Sequence, residues 1–383
     1  MNTVGIGLVG YKKMGRAHSF AYRNVNAFFE TAVPRMEWIC GRDPEALASM
    51  AANFGWKGIT RDWKELLRQE EVDLVDICAP NRLHDEIVVE AARFGKHVLV
   101  EKPIALNGDR ARAMTEAVLK AEQDFGMRHA VCFNYRYVPA VQLAKQLIDE
   151  GKIGQIYHFR GRFLQDWLVD SNAPATWRLD KTEAGSGALG DLGSHIIDLA
   201  RYLVGDIAEV SATARTFIYE RPVPGSDALH SVTVDDATAA LLQFANGALG
   251  TLEATRYATG HKCTNEFEIS GSRGSVRFNF QQLNELEYFT TEDASHVQGY
   301  RKITVTRPGI HPYAEGWWGP GHVIGFENTF VHLVKDVLDA VSGRRLTPAL
   351  PTCVDGLRCQ EVVEAVESAI ENRTWAVVKH SGF

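Results

Sequence analysis

The sequence has 383 residues, 45% of them hydrophobic and 23% charged, with a formal net charge of −7. This length predicts two domains, and the acidic balance argues against a nucleic-acid surface, which needs a basic stripe. No apolar run approaches the roughly 20 residues of a membrane helix, and no leader pattern precedes the first predicted strand. Six cysteines without C-x-x-C spacing predict buried thiols in a reducing compartment. We therefore expect a cytoplasmic protein with neither a nucleic-acid nor a membrane partner.

The first third of the chain alternates apolar runs with segments of helical period, which predicts a doubly wound α/β domain on a parallel sheet. The strand runs are short and continuous, as in a sheet that is buried on both faces. The predicted elements are strand 4–10, helix 14–25, strand 36–41, helix 44–55, strand 72–79, helix 84–95, strand 96–103, helix 109–126 and strand 128–134.

Beyond about residue 150 the apolar residues alternate with period two, which predicts an antiparallel sheet with one face toward solvent or a partner. A helix over 190–205 interrupts these strands, and helices over 322–342 and 353–371 follow them. The predicted strands are 156–165, 209–218, 237–244, 248–256, 265–271 and 275–280. The predicted domains are residues 1–135 and 136–383.

Two glycine patterns overlap near the N-terminus. Gly5, Gly7 and Gly10 match G-x-G-x-x-G, but the first two lie inside the predicted strand, whereas phosphate-binding glycines belong to the turn after it. The loop is therefore Gly10 to Gly15, with Lys12 at the middle glycine position. A side chain there costs about 1–3 kcal/mol if the backbone is strained, yet a helix N-terminus and a lysine both favour a phosphate. This pattern alone does not separate a dinucleotide site from an ordinary turn.

The second motif is Glu101-Lys102-Pro103, at the end of a predicted strand. Ligands of open parallel sheets bind beyond the carboxyl ends of the strands, so Lys102 is placed to meet one. The alternative is a surface salt bridge at the strand end. A cis peptide before Pro103 would aim the lysine, although only about 5–6% of such bonds are cis.

The third motif lies in the predicted helix 190–205, where Asp191 and His195 are four residues apart and hence on one face. A carboxylate beside an imidazole suits proton transfer near neutral pH. An exposed pair on a helix surface is the alternative. The spacing also resembles a metal site, but no further histidine or cysteine lies nearby, so no metal is predicted.

Taken in order, these motifs resemble the Gfo/Idh/MocA family of oxidoreductases, and the resemblance runs over nearly the whole chain. It rests on M-G-x-x-H at 14–18, APNRLH at 79–84, GKHVLVEKP at 95–103 and G-x-x-x-D-x-G-x-H at 187–195. It implies an N-terminal NAD(P)-binding Rossmann domain and a C-terminal α+β domain with a large, mostly antiparallel open sheet. It also implies a homodimer or homotetramer packed through that sheet. The fragments LQDW, WRLDK and AGSGALGD look like the levoglucosan- and pyranoside-type members.

The resemblance implies hydride transfer between NAD or NADP and a hydroxyl carbon of a sugar, anhydrosugar or cyclic polyol. Lys102 would then hydrogen-bond the reacting oxygen, His195 would be the general base, and Asp191 would bind a neighbouring hydroxyl. The expected cofactor contacts are Gly10, Tyr11, Lys12, Lys13, Met14, Gly15, Gly41, Arg42, Ala79, Pro80, Asn81, His84, Glu101 and Lys102. The expected substrate contacts are Gln165, Trp167, Trp177, Arg178 and His322.

The coenzyme and the reaction each leave alternatives open. Arg42 suits the 2′-phosphate of NADP or stacking on adenine, while Asp43 suits either a ribose or a helix cap before Pro44. The alternative function is glycoside cleavage by an enzyme that retains NAD and oxidises its substrate transiently. A non-catalytic sugar or dinucleotide sensor is less favoured, because Lys102, Asp191 and His195 occur together.

Overall fold

The structure is a computed structural model that describes residues 2–344, 346 and 349–383. The chain forms two compact units. The first contains the residues up to Tyr137 and those between Gly325 and Leu357, and the second contains Val138–Ile324 and Arg358–Phe383. The predicted boundary at 135/136 lies near the first crossing, but the later return of the chain to the first unit was not predicted.

The helices and strands are numbered in chain order. The strands are β1 (Thr3–Val9), β2 (Val33–Cys40), β3 (Gly58–Thr60), β4 (Leu74–Ile77), β5 (His97–Val100), β6 (His129–Val131), β7 (Ile156–Leu164), β8 (Ile207–Arg215), β9 (Glu220–Pro222), β10 (Leu229–Ser231), β11 (Ala237–Phe244), β12 (Leu249–Thr255), β13 (Thr264–Gly271), β14 (Gly274–Asn279), β15 (Glu285–Thr290), β16 (Arg301–Thr304) and β17 (Ala376–Val377). The helices are α1 (Lys13–Phe28), α2 (Pro44–Phe54), α3 (Trp63–Leu67), α4 (His84–Arg93), α5 (Gly108–Phe125), α6 (Pro139–Asp149), α7 (Lys181–Ala184), α8 (Ser194–Leu203), α9 (Phe326–Val341) and α10 (Cys353–Asn372).

The first unit is built on a parallel sheet with the strand order β3-β2-β1-β4-β5-β6. Its inner strands are mostly apolar because both faces are covered, and all four residues of β4 are buried, Asp76 among them. The order reverses between β1 and β4, which is where doubly wound proteins bind ligands, beyond the carboxyl ends of the strands. The predicted Rossmann-type domain is therefore confirmed.

The second unit is built on a nine-stranded sheet with the order β16-β15-β14-β13-β7-β12-β11-β8-β17. Only the β7–β12 pair is parallel among these described strands. Burial alternates along β11, where Ala240, Leu242 and Phe244 are buried and Leu241 is exposed. This period-two pattern confirms the predicted open, mostly antiparallel sheet. No helix in the described part of the chain is long and apolar enough to span a bilayer.

Candidate active site

The turn between β1 and α1 has the backbone shape of a phosphate-binding loop. Gly10 has a φ of 114°, and a Cβ there would lie 2.5 Å from the carbonyl oxygen of Cys78. A Cβ on Gly15 would lie 2.1 Å from the carbonyl oxygen of Gly10, so α1 approaches the turn only through glycine. Both predicted loop positions therefore require glycine because the surrounding backbone is close, while Gly5 and Gly7 lie within β1.

Lys12 occupies the middle position of this loop without backbone strain. Its φ is −76°, which any residue adopts, and it is the N-cap residue of α1. The strain cost considered for a side chain at this position therefore does not arise. Lys12 is exposed and makes no side-chain cap, so the first N–H groups of α1 are not satisfied by it and suit an anion.

The end of β2 carries the residues expected near the adenosine half of a dinucleotide. The ring of Tyr11 lies against Gly41, where a Cβ would come within 2.2 Å of Tyr11 Cδ1. Asp43 Oδ1 accepts the backbone N–H groups two and three residues further on, at 3.1 and 3.2 Å, so of the two alternatives for this residue the structure shows the helix cap. Arg42 is exposed and stays the predicted contact to a phosphate or to adenine.

His84 connects the segments that follow β4 and β5. Its Nδ1 lies 2.9 Å from the carbonyl oxygen of Pro103, and its Nε2 lies 2.9 Å from that of Ala79. Burial lowers the pKa of this ring, against the opposing effect of the two carbonyl groups. His84 was expected at the cofactor, and its observed contacts are to the backbone on either side of the expected cofactor residues. The Lys102–Pro103 peptide is cis.

Glu101 and Lys102 follow β5 directly, at the carboxyl end of the parallel sheet. The backbone N–H of Lys102 donates to Glu101 Oε2 at 3.2 Å. Burial favours a raised pKa for Glu101, but the hydrogen bond and charge of His18, together with the charge of Lys102, hold that pKa below its ordinary value. A buried carboxylate is thus part of the segment that carries Lys102.

Asp191 and His195 lie on an irregular helix start in the second unit. Leu189–Gly193 forms a π-helical turn and α8 follows it, where the sequence predicted one continuous α-helix. Because Asp191 lies in the π-helical turn, the α-helical rule for residues four apart does not fix its face relative to His195. Their shared face therefore stays a prediction. His195 is 7% exposed, and its ring centroid lies 5.9 Å from that of Phe163.

Arg256, which none of the sequence motifs indicated, forms an ion pair with Asp191. Its Nη2 donates to Asp191 Oδ2 at 3.1 Å and to the carbonyl oxygen of Gly187 at 2.9 Å. The guanidinium is 1% exposed, lies 5.5 Å from the ring centroid of Trp167, and keeps Nε and Nη1 buried without a hydrogen-bond partner among the described residues. Buried donors of this kind cost free energy unless a polar group meets them. The available sequence signal was a charged residue directly after an alternating strand.

Asp235 fixes the loop that precedes Asp191. Its Oδ1 accepts the N–H of Gly187 at 2.7 Å, and its Oδ2 accepts the N–H of Leu189 at 2.8 Å. A Cβ on Gly187 would lie 1.8 Å from the carbonyl oxygen of Asp235, which explains the glycine at that position. Asp235 and Arg256 therefore determine the backbone path into the π-helical turn.

Of the expected substrate contacts, Gln165 and Trp167 join this group. Trp167 Nε1 donates to Gln165 Oε1 at 2.8 Å, and Trp167 is 41% exposed beside Arg256. Trp177 and Arg178 pair with each other, with the guanidinium 4.4 Å from the ring centroid. His322 lies on an exposed turn, where its Nδ1 is 3.1 Å from a backbone carbonyl oxygen three residues earlier.

Both halves of the chain match family descriptions. Residues 4–129 match an oxidoreductase family with an NAD-binding Rossmann fold, and residues 141–277 match the Gfo/Idh/MocA C-terminal domain. The chain is 40% identical to the levoglucosan dehydrogenase of Pseudarthrobacter phenanthrenivorans over 394 aligned positions, which cover 99% of each chain. It is 27% identical to the inositol 2-dehydrogenase of Rhizobium meliloti, covering 97% of this chain and 98% of that one.

Solved structures give the same result over the whole fold. An oxidoreductase domain protein from Kribbella flavida is 46% identical, with a TM-score of 0.94 over 99% of this chain and 100% of that chain. A levoglucosan dehydrogenase in complex with NADH and levoglucosan is 39% identical, with a TM-score of 0.93 over the same shares. This chain belongs to the Gfo/Idh/MocA family of oxidoreductases.

Proposed function

We propose that this protein is an NAD(P)-dependent dehydrogenase that oxidises a hydroxyl carbon of a sugar, anhydrosugar or cyclic polyol. The observation that carries the proposal is the end-to-end likeness to a levoglucosan dehydrogenase, in a chain that has both the EKP and the D-x-G-x-H motifs. The glycines at positions 10 and 15 are compatible with it, since they let the end of β1 and the start of α1 approach each other and the backbone after β4 closely. Nicotinamide reduction with such substrates tests it.

In this proposal the protein supplies the proton transfer and the orientation of the substrate. His195 takes the hydroxyl proton, Lys102 hydrogen-bonds the reacting oxygen, and Asp191 holds a neighbouring hydroxyl. The bound nicotinamide supplies the hydride acceptor. Arg256 supports this role of Asp191, because its guanidinium donates to the carboxylate and to the loop before it. Gln165 and Trp167 belong to the same contact group and would meet the ring of the substrate.

The Arg42→Ala variant is expected to weaken NADPH binding by about tenfold or more, because a charge-assisted hydrogen bond contributes about 1.5–3 kcal/mol. NADH lacks the 2′-phosphate, so its affinity should change much less. Fluorescence titration with each reduced coenzyme measures both dissociation constants. Arg68→Ala, at an exposed arginine after α3, is the control. Equal weakening of both coenzymes would exclude a phosphate contact at Arg42.

We propose in addition that the open face of the nine-stranded sheet packs against a second copy of the chain, giving a homodimer or a homotetramer. Leu241 is 52% exposed on this face. The face lines an open groove with a volume of about 940 Å³. Ion pairs between neighbouring strands line the same face, with Arg162 Nη2 2.6 Å from Glu266 Oε2. Because single exposed apolar residues are ordinary on protein surfaces, the proposal rests mainly on the family resemblance, which implies packing of the open sheet against another subunit.

Leu241→Arg should therefore reduce the oligomer to a single chain of 42.5 kDa, since an added charge on a buried face loses its hydration. Light scattering after size exclusion measures the mass. Phe125→Arg, at an exposed residue of the first unit, should leave the mass of the oligomer unchanged. A wild-type protein that is already a single chain would overturn the proposal.

A cytoplasmic location is also part of the proposal. Cys40 and Cys132 are buried free thiols, and burial, with nearby carboxylates, raises the pKa of each to about 12. Cysteines that remain free thiols are typical of proteins in a reducing compartment. Cell fractionation with an antibody against the protein tests this location.

A further inference from the structure

A buried polar cluster lies beneath the EKP segment of the first unit, and the proposed reaction makes no use of it. Its centre is His18, on the buried side of α1 and 1% exposed. Around it lie Asp76 in the middle of β4, Glu101 after β5 and Cys132 after β6. Tyr22, one helical turn after His18, donates its hydroxyl to Asp76 Oδ2 at 2.9 Å.

Both ring nitrogens of His18 face a carboxylate. Nδ1 lies 2.8 Å from Asp76 Oδ2, and Nε2 lies 3.1 Å from Glu101 Oε1. A neutral imidazole has one N–H, so one of the two carboxylates would then face a lone pair in a buried site. Both carboxylates receive a hydrogen bond when both ring nitrogens of His18 carry a proton. The positive charge of the imidazolium then compensates the two negative charges, which would otherwise be costly to bury.

The other groups around the ring support this charge state. Burial lowers the pKa of His18, but the charge of Asp76 and its hydrogen bond to the ring outweigh burial and raise that pKa well above its ordinary value. Burial and Glu101 raise the pKa of Cys132 to about 12, so its thiol is neutral. The ring of Phe330 lies 5.3 Å from that of His18 and keeps that side apolar. Lys102 supplies the remaining positive charge, which acts on Glu101.

A metal ion is the alternative occupant. Ligand atoms of His18, Glu101 and Cys132 lie within 4.8 Å of one another, as do those of His18, Asp76 and Cys78. However, the N–O separations of 2.8 and 3.1 Å are hydrogen-bond distances. Two ligand atoms that each lie about 2.0–2.2 Å from one zinc ion are normally farther apart. The observed geometry therefore favours protons between these atoms.

The side chain of Glu101 links the cluster to the segment that carries Lys102. One oxygen of Glu101 faces His18, and the other accepts the backbone N–H of Lys102 at 3.2 Å. We propose that His18 is a positioning residue: as an imidazolium it orients the Glu101 carboxylate, which in turn fixes the peptide that carries Lys102. This inference rests on the proposed role of Lys102 in hydride transfer.

The first test measures the protonation of His18 independently of activity. Ring-nitrogen chemical shifts of histidine-labelled protein are recorded between about pH 6 and 9, a range that extends well above the ordinary histidine pKa of about 6.5. The histidine signal that is present in the wild-type spectrum and absent from the His18→Gln spectrum is assigned to His18. We expect both ring nitrogens of His18 to have the chemical shifts of an imidazolium over this whole pH range. A neutral ring at neutral pH overturns the inference, as does stoichiometric metal found by mass spectrometry of the purified protein.

The second test measures the effect on turnover. His18→Gln should lower kcat by about 10–100-fold, as is usual for partners that orient a functional group, while the dissociation constant of NADH stays close to that of the wild type. His18→Gln/Asp76→Asn/Glu101→Gln should recover part of the lost kcat, because neither new amide needs a compensating charge and the one at position 101 still accepts the N–H of Lys102. The control is His97→Gln, at a partly buried histidine in β5.

The outcomes separate the two proposals. If the wild-type protein reduces no nicotinamide, the proposed function fails, while the ring-nitrogen shifts still decide the charge of His18. If the wild type is active and His18→Gln has unchanged kcat, or if the triple variant shows no recovery, the positioning role is overturned. Should His18→Gln fail to fold, Glu101→Ala replaces it: a loss of kcat of about 10–100-fold supports the role, and full activity overturns it.

Discussion

Lys102→Ala is expected to lower kcat by at least about 10²–10³-fold, the usual cost of removing one positioned donor from a developing oxyanion. The physical reason is that the ammonium group is proposed to meet the substrate oxygen as its proton leaves. Its removal should leave the phosphate loop intact, since Gly10 and Gly15 lie at a separate strand end. Steady-state kinetics with the best substrate and NADH titration by fluorescence measure the two effects separately.

The matched control is Lys120→Ala, which removes an exposed lysine of α5 with an ion pair at 3.8 Å to Asp124. Its kcat should equal that of the wild type, because exposed pairs contribute little. Full turnover in Lys102→Ala would remove this lysine from the mechanism. Loss of coenzyme binding as well as turnover would assign Lys102 to the dinucleotide instead.

His195→Ala is expected to remove the rising limb of the pH–rate profile for sugar oxidation and to lower kcat by about 10²–10⁴-fold, the usual contribution of a general base. A base acts in its deprotonated form, so the rate of the wild type should rise as pH increases through the pKa of that base. Without the imidazole this dependence disappears. Profiles of kcat and kcat/KM against pH measure the effect.

The control for this variant is His296→Ala, at an exposed histidine of the second unit, whose profile should match that of the wild type. A rising limb that persists in His195→Ala would assign the base to another residue. Added imidazole provides a further check, since a small external base should restore part of the rate if only proton transfer has been lost.

The parallel sheet and the phosphate loop could be predicted because their signals are local. A short apolar run such as Leu74–Ile77 indicates a strand with two buried faces, and the position of Gly10 after a strand distinguishes it from Gly5 and Gly7. The structure adds the reason: Gly5 and Gly7 pack closely inside the sheet, where a Cβ would lie 1.7 Å from the Glu71 carbonyl oxygen and 2.6 Å from a Leu66 methyl carbon.

The residues that hold the candidate site in place could not be predicted, because their contacts join segments that are far apart in the sequence. Arg256 is 65 residues from Asp191, and His18 is 83 residues from Glu101. Periodicity indicates which side of a strand or helix is buried, but not which polar side chains meet there. The π-helical turn at Leu189–Gly193 was missed for a related reason, since a tertiary clamp by Asp235 shapes it.

The most direct measurement of the proposed hydride transfer is the absorbance of reduced nicotinamide with purified protein, NAD or NADP, and a panel of pyranoses, anhydrosugars, inositols and glycosides. We expect a rise with at least one free sugar, anhydrosugar or polyol, because the protein is proposed to move a hydride from a hydroxyl carbon of such a substrate to the nicotinamide. If no rise occurs and a sugar is instead released from a glycoside, the oxidation is transient within a cleavage reaction, and the protein is not a dehydrogenase that releases its reduced coenzyme.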